Sequence, residues 1–209
     1  MRTILLTSAG MQVKEEILKL ISKDPCKIKV AYIITAAKPS KNIDYVQKDR
    51  QIMQNACFKV TDIDIEGKKS DELKEILVNF DIIYVQGGNT FYLLKAVKES
   101  GFDLIVKDLI NQGIIYIGVS AGSVICGPTI ETTNWKNVDK NIVNLKKLNA
   151  LSLVPFNLFV HYEPKLSETV KNESSKSDFP TRVLTDDQAI LFKDGEIKLV
   201  GKGKEILVD

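Results

Sequence analysis

Thr3 to Thr7, Ile28 to Thr35, Asp81 to Gln86 and Gly113 to Val119 are short runs rich in Ile, Val, Leu and Tyr with little polar alternation. A strand with one face in water alternates apolar and polar residues, whereas a strand covered on both faces need not. Between these runs lie stretches with helical spacing, such as Val13-Ile17-Leu20-Ile21, Leu73-Ile76-Leu77 and Phe91-Leu94-Val97. Buried strand followed by amphipathic helix, repeated, predicts an α/β fold: a mostly parallel central sheet with helices on both faces. At 209 residues the chain is long enough for one such core, so residues 1–209 are read as a single domain.

Beyond about residue 128 the rhythm changes to polar loop, then the apolar run within Leu151 to Tyr162, then a Ser/Lys/Glu-rich segment from Lys165 to Ser177. That segment reads either as a helix or as a loop over a site. Gln188 to Val208 alternates and contains Asp194-Gly195, which predicts C-terminal antiparallel strands joined by a hairpin turn.

Charge excludes some partners. Lys and Arg number 29 against 27 Asp and Glu, and only Arg2, Arg50 and Arg182 are arginine, so no basic footprint for nucleic acid is present. No apolar run approaches the roughly 18 residues of a membrane span, and the N-terminal run is too short for a signal peptide. A cytoplasmic protein is expected, with no membrane or nucleic-acid partner. Cys26, Cys57 and Cys126 are widely spaced and lie near no histidine, which predicts neither a disulfide framework nor a zinc site. Oligomeric state is not set by the sequence, a homodimer being one option.

Gly118-Val119-Ser120-Ala121-Gly122 directly follows the buried run Ile114 to Ile117. Glycines two residues either side of a serine allow a strained strand-to-helix turn that exposes the serine hydroxyl. There the N–H groups at the helix start favour developing negative charge. Serine needs a base, and the chain contains a single histidine, His161, at the end of the run Val154 to Val160. A third group, an acid, should orient the imidazole. Between serine and histidine the candidates are Glu131 and Asp139; after the histidine they include Glu163, Glu168, Glu173, Asp178, Asp186 and Asp187. Thr185-Asp186-Asp187-Gln188, a polar turn between apolar runs, is a suitable place for a fixed acid.

Gly87-Gly88-Asn89-Thr90 follows another buried run, and two glycines there let backbone N–H groups approach a ligand as part of an oxyanion hole. A phosphate loop would need a further glycine and a Lys-Ser/Thr pair, which are missing.

Taken in order, Gln86-Gly87-Gly88-Asn89-Thr90-Phe91, Gly118 to Gly122, Pro128-Thr129-Ile130 with Thr132-Thr133-Asn134, and His161-Tyr162 resemble the peptidase E family of aspartyl dipeptidases and cyanophycinases. The resemblance, from about Asp81 to Ile190, implies a class I glutamine-amidotransferase-like fold and a serine peptidase acting on short peptides without metal or organic cofactor. It implies an acid after the histidine, which falls on Asp186 with Asp187 as the alternative. It places the oxyanion donors on the backbone of Gly88 and Ala121, and substrate contacts at Asn89, Thr133, Asn134 and Trp135. Other hydrolases on the same machinery, an esterase or a cyanophycinase-type enzyme, and a binding domain of the same fold are the rival readings. Two positions depart from the aspartyl dipeptidases: Trp135 stands where they carry Asp, and no arginine lies between His161 and Phe179. The resemblance therefore implies a peptidase but not a strict preference for aspartate.

Overall fold

The computed structural model describes residues 2–136 and 139–207. Val208, the end of the last stretch considered above, lies outside them.

The four buried runs become β1 (Thr3–Thr7), β2 (Lys29–Ile33), β4 (Ile82–Val85) and β5 (Ile115–Val119), and β3 (Lys59–Ile63) joins them. β3 carries Lys59, Thr61 and Asp62 in solvent, as suits the edge of a sheet, and this polarity hides it from the buried-run pattern. β8 (Gln188–Lys193) and β9 (Glu196–Gly201) complete a seven-stranded sheet in the order β3-β2-β4-β5-β1-β8-β9. Its first five strands are parallel, and β8 and β9 are added antiparallel beside β1. Asp194 and Gly195, both at positive φ, make the hairpin turn between β8 and β9. The expected α/β fold with C-terminal antiparallel strands is the fold found.

Helices cover both faces. α1 (Lys14–Lys19) and α2 (Asp44–Asn55) bury Ile17, Val46 and Met53 against one face. α3 (Ser70–Leu77), α4 (Thr90–Ser100) and α5 (Phe102–Asn111) bury Leu73, Leu94, Phe102 and Val106 against the other. This two-sided cover removes the need for polar alternation along the central strands.

After β5 the chain makes two single-turn helices, α6 (Ala121–Val124) and α7 (Thr132–Trp135), then β6 (Asn157–Phe159). The segment left open above as helix or loop contains α8 (Ser167–Ser174), which docks Val170 in a small cluster with Phe159, Val183, Trp135 and Tyr162. β7 (Thr181–Val183) then pairs in parallel with β6.

One expectation is overturned. Cys26 and Cys57 form a disulfide, with Cα atoms 4.6 Å apart. They lie 31 residues apart in sequence, but each just precedes one of two paired strands, β2 and β3, whose register aligns Lys29 with Lys59. Only the sheet order brings them together. Cys126 is free and buried, and burial pushes its thiol up to about 12.

Candidate active site

In a parallel α/β sheet, functional groups gather at the carboxyl ends of the strands, because the strand-to-helix loops meet there. Here β1, β4 and β5 are adjacent to one another through β5, and each is followed by a loop that reaches the same place. Ser8 follows β1, Gly87 and Gly88 follow β4 after Gln86, and Ser120 follows β5.

Ser120 has φ 47° and ψ −111°, a conformation that side chains avoid. Such residues cost about 1–3 kcal/mol and persist only where the surroundings impose them. The surroundings are the two flanking glycines. A Cβ on Gly118 would lie 2.6 Å from the Gly122 carbonyl oxygen, and one on Gly122 would lie 2.1 Å from the Val85 carbonyl oxygen. Backbone packs against backbone at both positions, so only glycine fits. The turn is pinned to β1 by the Ser120 N–H donating to the Thr7 carbonyl (3.0 Å) and by the Ser123 hydroxyl donating to that same carbonyl (2.8 Å). The helix that follows is a single turn, so local N–H groups rather than a long macrodipole face the serine.

His161 follows β6 at φ 53°. Its Nε2 lies 2.9 Å from Ser120 Oγ and its Nδ1 lies 2.6 Å from Asp186 Oδ1. The hydrogen bond from His161 holds the Asp186 carboxyl below its usual value, with the Ser8 hydroxyl adding to the effect. Asp187 points elsewhere, accepting from Gln12 Nε2 at 3.1 Å. Of the other acids considered, Glu131 accepts from Asn157 Nδ2 at 2.6 Å and from the Ser177 hydroxyl, and Asp139 accepts from the Thr90 N–H and hydroxyl. Glu163 pairs with Lys165.

Ser8 was not singled out by its residue type or spacing, yet it is fully buried against this group. Its hydroxyl donates to Asp186 Oδ1 at 2.6 Å, accepts from the His161 N–H at 2.8 Å, and lies 3.2 Å from Nδ1. The available signal was its place, one residue beyond a central buried strand.

Gly88 has φ 142°, and a Cβ there would lie 2.1 Å from the Ala36 carbonyl oxygen. Its N–H has no acceptor among the described residues, and Ala121 opens α6, where an N–H has no intrahelical acceptor.

Ser120 and His161 border two cavities of about 520 and 960 Å³. The smaller is lined by Thr133, Lys136, Phe159, Glu163 and Lys165 among others. The larger includes Asn89, Lys48, Tyr45 and Ile142, and Asp139 borders both. Asn89 also caps α4, accepting from the Tyr92 N–H at 2.9 Å. Asn134 and Trp135, expected at a substrate, line neither cavity. Asn134 faces solvent, and Trp135 stacks on Phe159 with ring centroids 5.8 Å apart, closing the cluster beneath α8. Lys136, next in sequence, occupies the smaller cavity instead, and burial lowers its ammonium to about 8.

Residues 4–200 match the sequence model of peptidase family S51. The chain belongs to this family. An uncharacterized peptidase of Listeria innocua is 31% identical over 172 residues, covering 80% of this chain and 82% of its own. Peptidase E of Escherichia coli strain CFT073 is 36% identical over 131 residues, 63% of this chain and 54% of that protein. The crystal structure of a peptidase E-type protein from Listeria monocytogenes superposes with a TM-score of 0.86 at 28% identity, covering 97% of this chain and all of that one. A peptidase from an acI-B1 actinobacterium shares the fold, with a TM-score of 0.70 at 14% identity over 99% of this chain and 90% of that one. Membership of S51 makes the protein a serine-type peptidase. Among the described residues no helix is long and apolar enough to cross a membrane, and no cluster of side chains is suited to hold a metal ion.

Proposed function

We propose that the protein hydrolyses short peptides, in the manner of a dipeptidase, through a Ser120-His161-Asp186 triad and an acyl-enzyme. The reading rests on one observation above all: Ser120 Oγ, both nitrogens of His161 and Asp186 Oδ1 form a continuous line at 2.9 and 2.6 Å.

With Asp186 accepting the proton-bearing Nδ1, the lone pair of Nε2 is free to take the serine proton. The alkoxide attacks the peptide carbonyl, and the N–H groups of Gly88 and Ala121 receive the oxyanion. His161 then gives its proton to the departing amine, and water repeats the sequence to release the acid. No cofactor enters these steps.

Short substrates suit a serine set between two bounded cavities rather than along an open groove. Each cavity carries both signs of charge, Lys136 with Glu163 on one side and Lys48 with Asp139 on the other, as suits a peptide with both termini free. Asn89 and Thr133 are the proposed substrate contacts retained from the sequence. A small peptide is the proposed partner.

The test is labelling with a fluorophosphonate, followed by a dipeptide library with acidic and neutral first residues. Wild type should label and Ser120→Ala should not, and at least one dipeptide should be cleaved. Labelling that persists in Ser120→Ala would remove the nucleophile, and labelling without cleavage of any dipeptide would point to an ester or polymer substrate instead.

A further inference from the structure

Asp49, on α2, is a nearly buried carboxylate at the base of the larger cavity. Among the described residues it has no lysine or arginine within ion-pair distance, and its neighbour Arg50 pairs with Asp62. Burial without a cation costs free energy, and desolvation raises its pKa. Three donors offset part of that cost: Tyr84 OH at 2.8 Å and Gln86 Nε2 at 3.0 Å on Oδ2, and the Met11 N–H at 3.3 Å on Oδ1.

The direction of these bonds matters. Tyr32 OH donates to the Val46 carbonyl and so accepts from Gln86 Nε2, at 2.5 Å. With both amide hydrogens of Gln86 committed to Tyr32 and Asp49, its Oε1 is turned to the Gly87 N–H, which it accepts at 2.7 Å. That bond fixes the Gln86–Gly87 peptide, the one directly before the peptide that carries the Gly88 N–H. The same carboxylate anchors Met11 in the loop that carries Ser8, where a Cβ on Gly10 would lie 2.2 Å from Asp49 Oδ2. One buried charge therefore braces the loops on both sides of Ser120.

We propose that Asp49, acting through Gln86, is a positioning residue that aims the Gly88 N–H at the oxyanion. This rests on the hydrolytic reading of Ser120 given above. An oxyanion donor works only if it is held in place before charge develops, so a freed Gln86–Gly87 peptide, which sets the direction of the Gly88 N–H that follows it, loses transition-state binding more than substrate binding. In Asp49→Asn the amide places an N–H against at least one of the three donors, and Gln86 loses its charged acceptor. In Gln86→Met the Gly87 N–H loses its acceptor outright.

The experiment measures kcat and KM for both variants on a cleaved dipeptide, per active site titrated with fluorophosphonate, and affinity for a peptide aldehyde whose hemiacetal with Ser120 carries an oxyanion. The expected result is a fall in kcat of about 10- to 100-fold, less than the loss of a whole oxyanion donor, with aldehyde affinity falling in parallel. KM should stay within about twofold, the pattern of an interaction made in the transition state. Ile105→Val, in the remote core, should lower the melting temperature and leave kcat per site unchanged. If Asp49→Asn does not fold, Gln86→Met and Tyr84→Phe carry the same measurement. Variants that melt earlier but retain wild-type kcat per site and aldehyde affinity would overturn the positioning role while leaving the hydrolytic reading intact. A wild-type protein that neither labels nor cleaves would overturn both.

Discussion

The two halves of the site are held by different physics. Ser120 sits in a turn fixed by hard contacts: glycines at 118 and 122 pressed against backbone, and the strand β1 directly alongside. His161 and Asp186 sit 43% and 48% exposed at their side chains and are held by hydrogen bonds to each other and to the buried Ser8. Steric placement is insensitive to pH and fails all at once when a methyl group is added. Hydrogen-bonded placement fails by degrees and depends on protonation. On the proposed mechanism, the nucleophile half should therefore break through stability and the acid–base half through rate and pH.

The largest effect is expected in the second half. Asp186→Asn should lower kcat about ten-thousand-fold, since an amide at that place favours the wrong imidazole tautomer and no longer stabilises the cation. Asp187→Asn, whose partner is Gln12, should leave kcat close to wild type. Equal losses in the two variants, read per folded molecule, would erase the distinction between these neighbours. On the steric side, Gly122→Ala places a Cβ 2.1 Å from the Val85 carbonyl oxygen. Overpacking of backbone on this scale should cost about 3 kcal/mol. For a domain of this size that corresponds to a fall in melting temperature of about 6–12 °C. A melting temperature within a degree of wild type would mean that the turn is looser than its contacts indicate.

The same contrast decides what could be read from the sequence. Steric demands leave compositional traces: the glycines at 118 and 122 around Ser120, and Gly88, are visible without a structure because a Cβ at each would collide with backbone. Two-sided burial likewise marked β1, β2, β4 and β5, while β3 escaped because its edge position keeps polar residues. Hydrogen-bonded placement leaves almost no trace. His161 stands out only by being the sole histidine, and the family resemblance favours Asp186 while leaving Asp187 as the alternative. Ser8 had no signal of type or spacing, because its partners lie 153 and 178 residues away. The pairing of Cys26 with Cys57 was hidden for the same reason, being a property of strand order. Asn134 and Trp135 share one helical turn with Thr133, and a helical turn directs adjacent side chains to different faces, so Thr133 and Lys136 line the cavity while Trp135 packs beneath α8.

The smallest expected effect is on acid stability, and its sign follows from Asp186. The folded-state pKa of this carboxylate is depressed, first by the His161 hydrogen bond and also by Ser8, below the unfolded value of about 3.9. The stabilisation it contributes is present above that unfolded value and is lost as pH falls through the lower, folded one. The group is about half exposed, so solvent screening keeps the contribution small. Ser8→Ala removes one of the bonds that depress the pKa, so the loss, which begins near the unfolded value in both proteins, should be smaller and complete at higher pH than in wild type. Because the hydroxyl holds the His161 backbone and donates to the Asp186 carboxylate, kcat at neutral pH should fall about tenfold, the worth of one hydrogen bond to a charged group. Denaturant titrations of wild type, Ser8→Ala and Asp186→Asn between acid and neutral pH separate these effects. Asp186→Asn should lack this acid-dependent loss, and Ser8→Ala should show it reduced and complete at higher pH. If all three share one acid profile, the carboxylate is not held by the contacts described, and the acid–base half of the site must owe its geometry to packing, as the nucleophile half does.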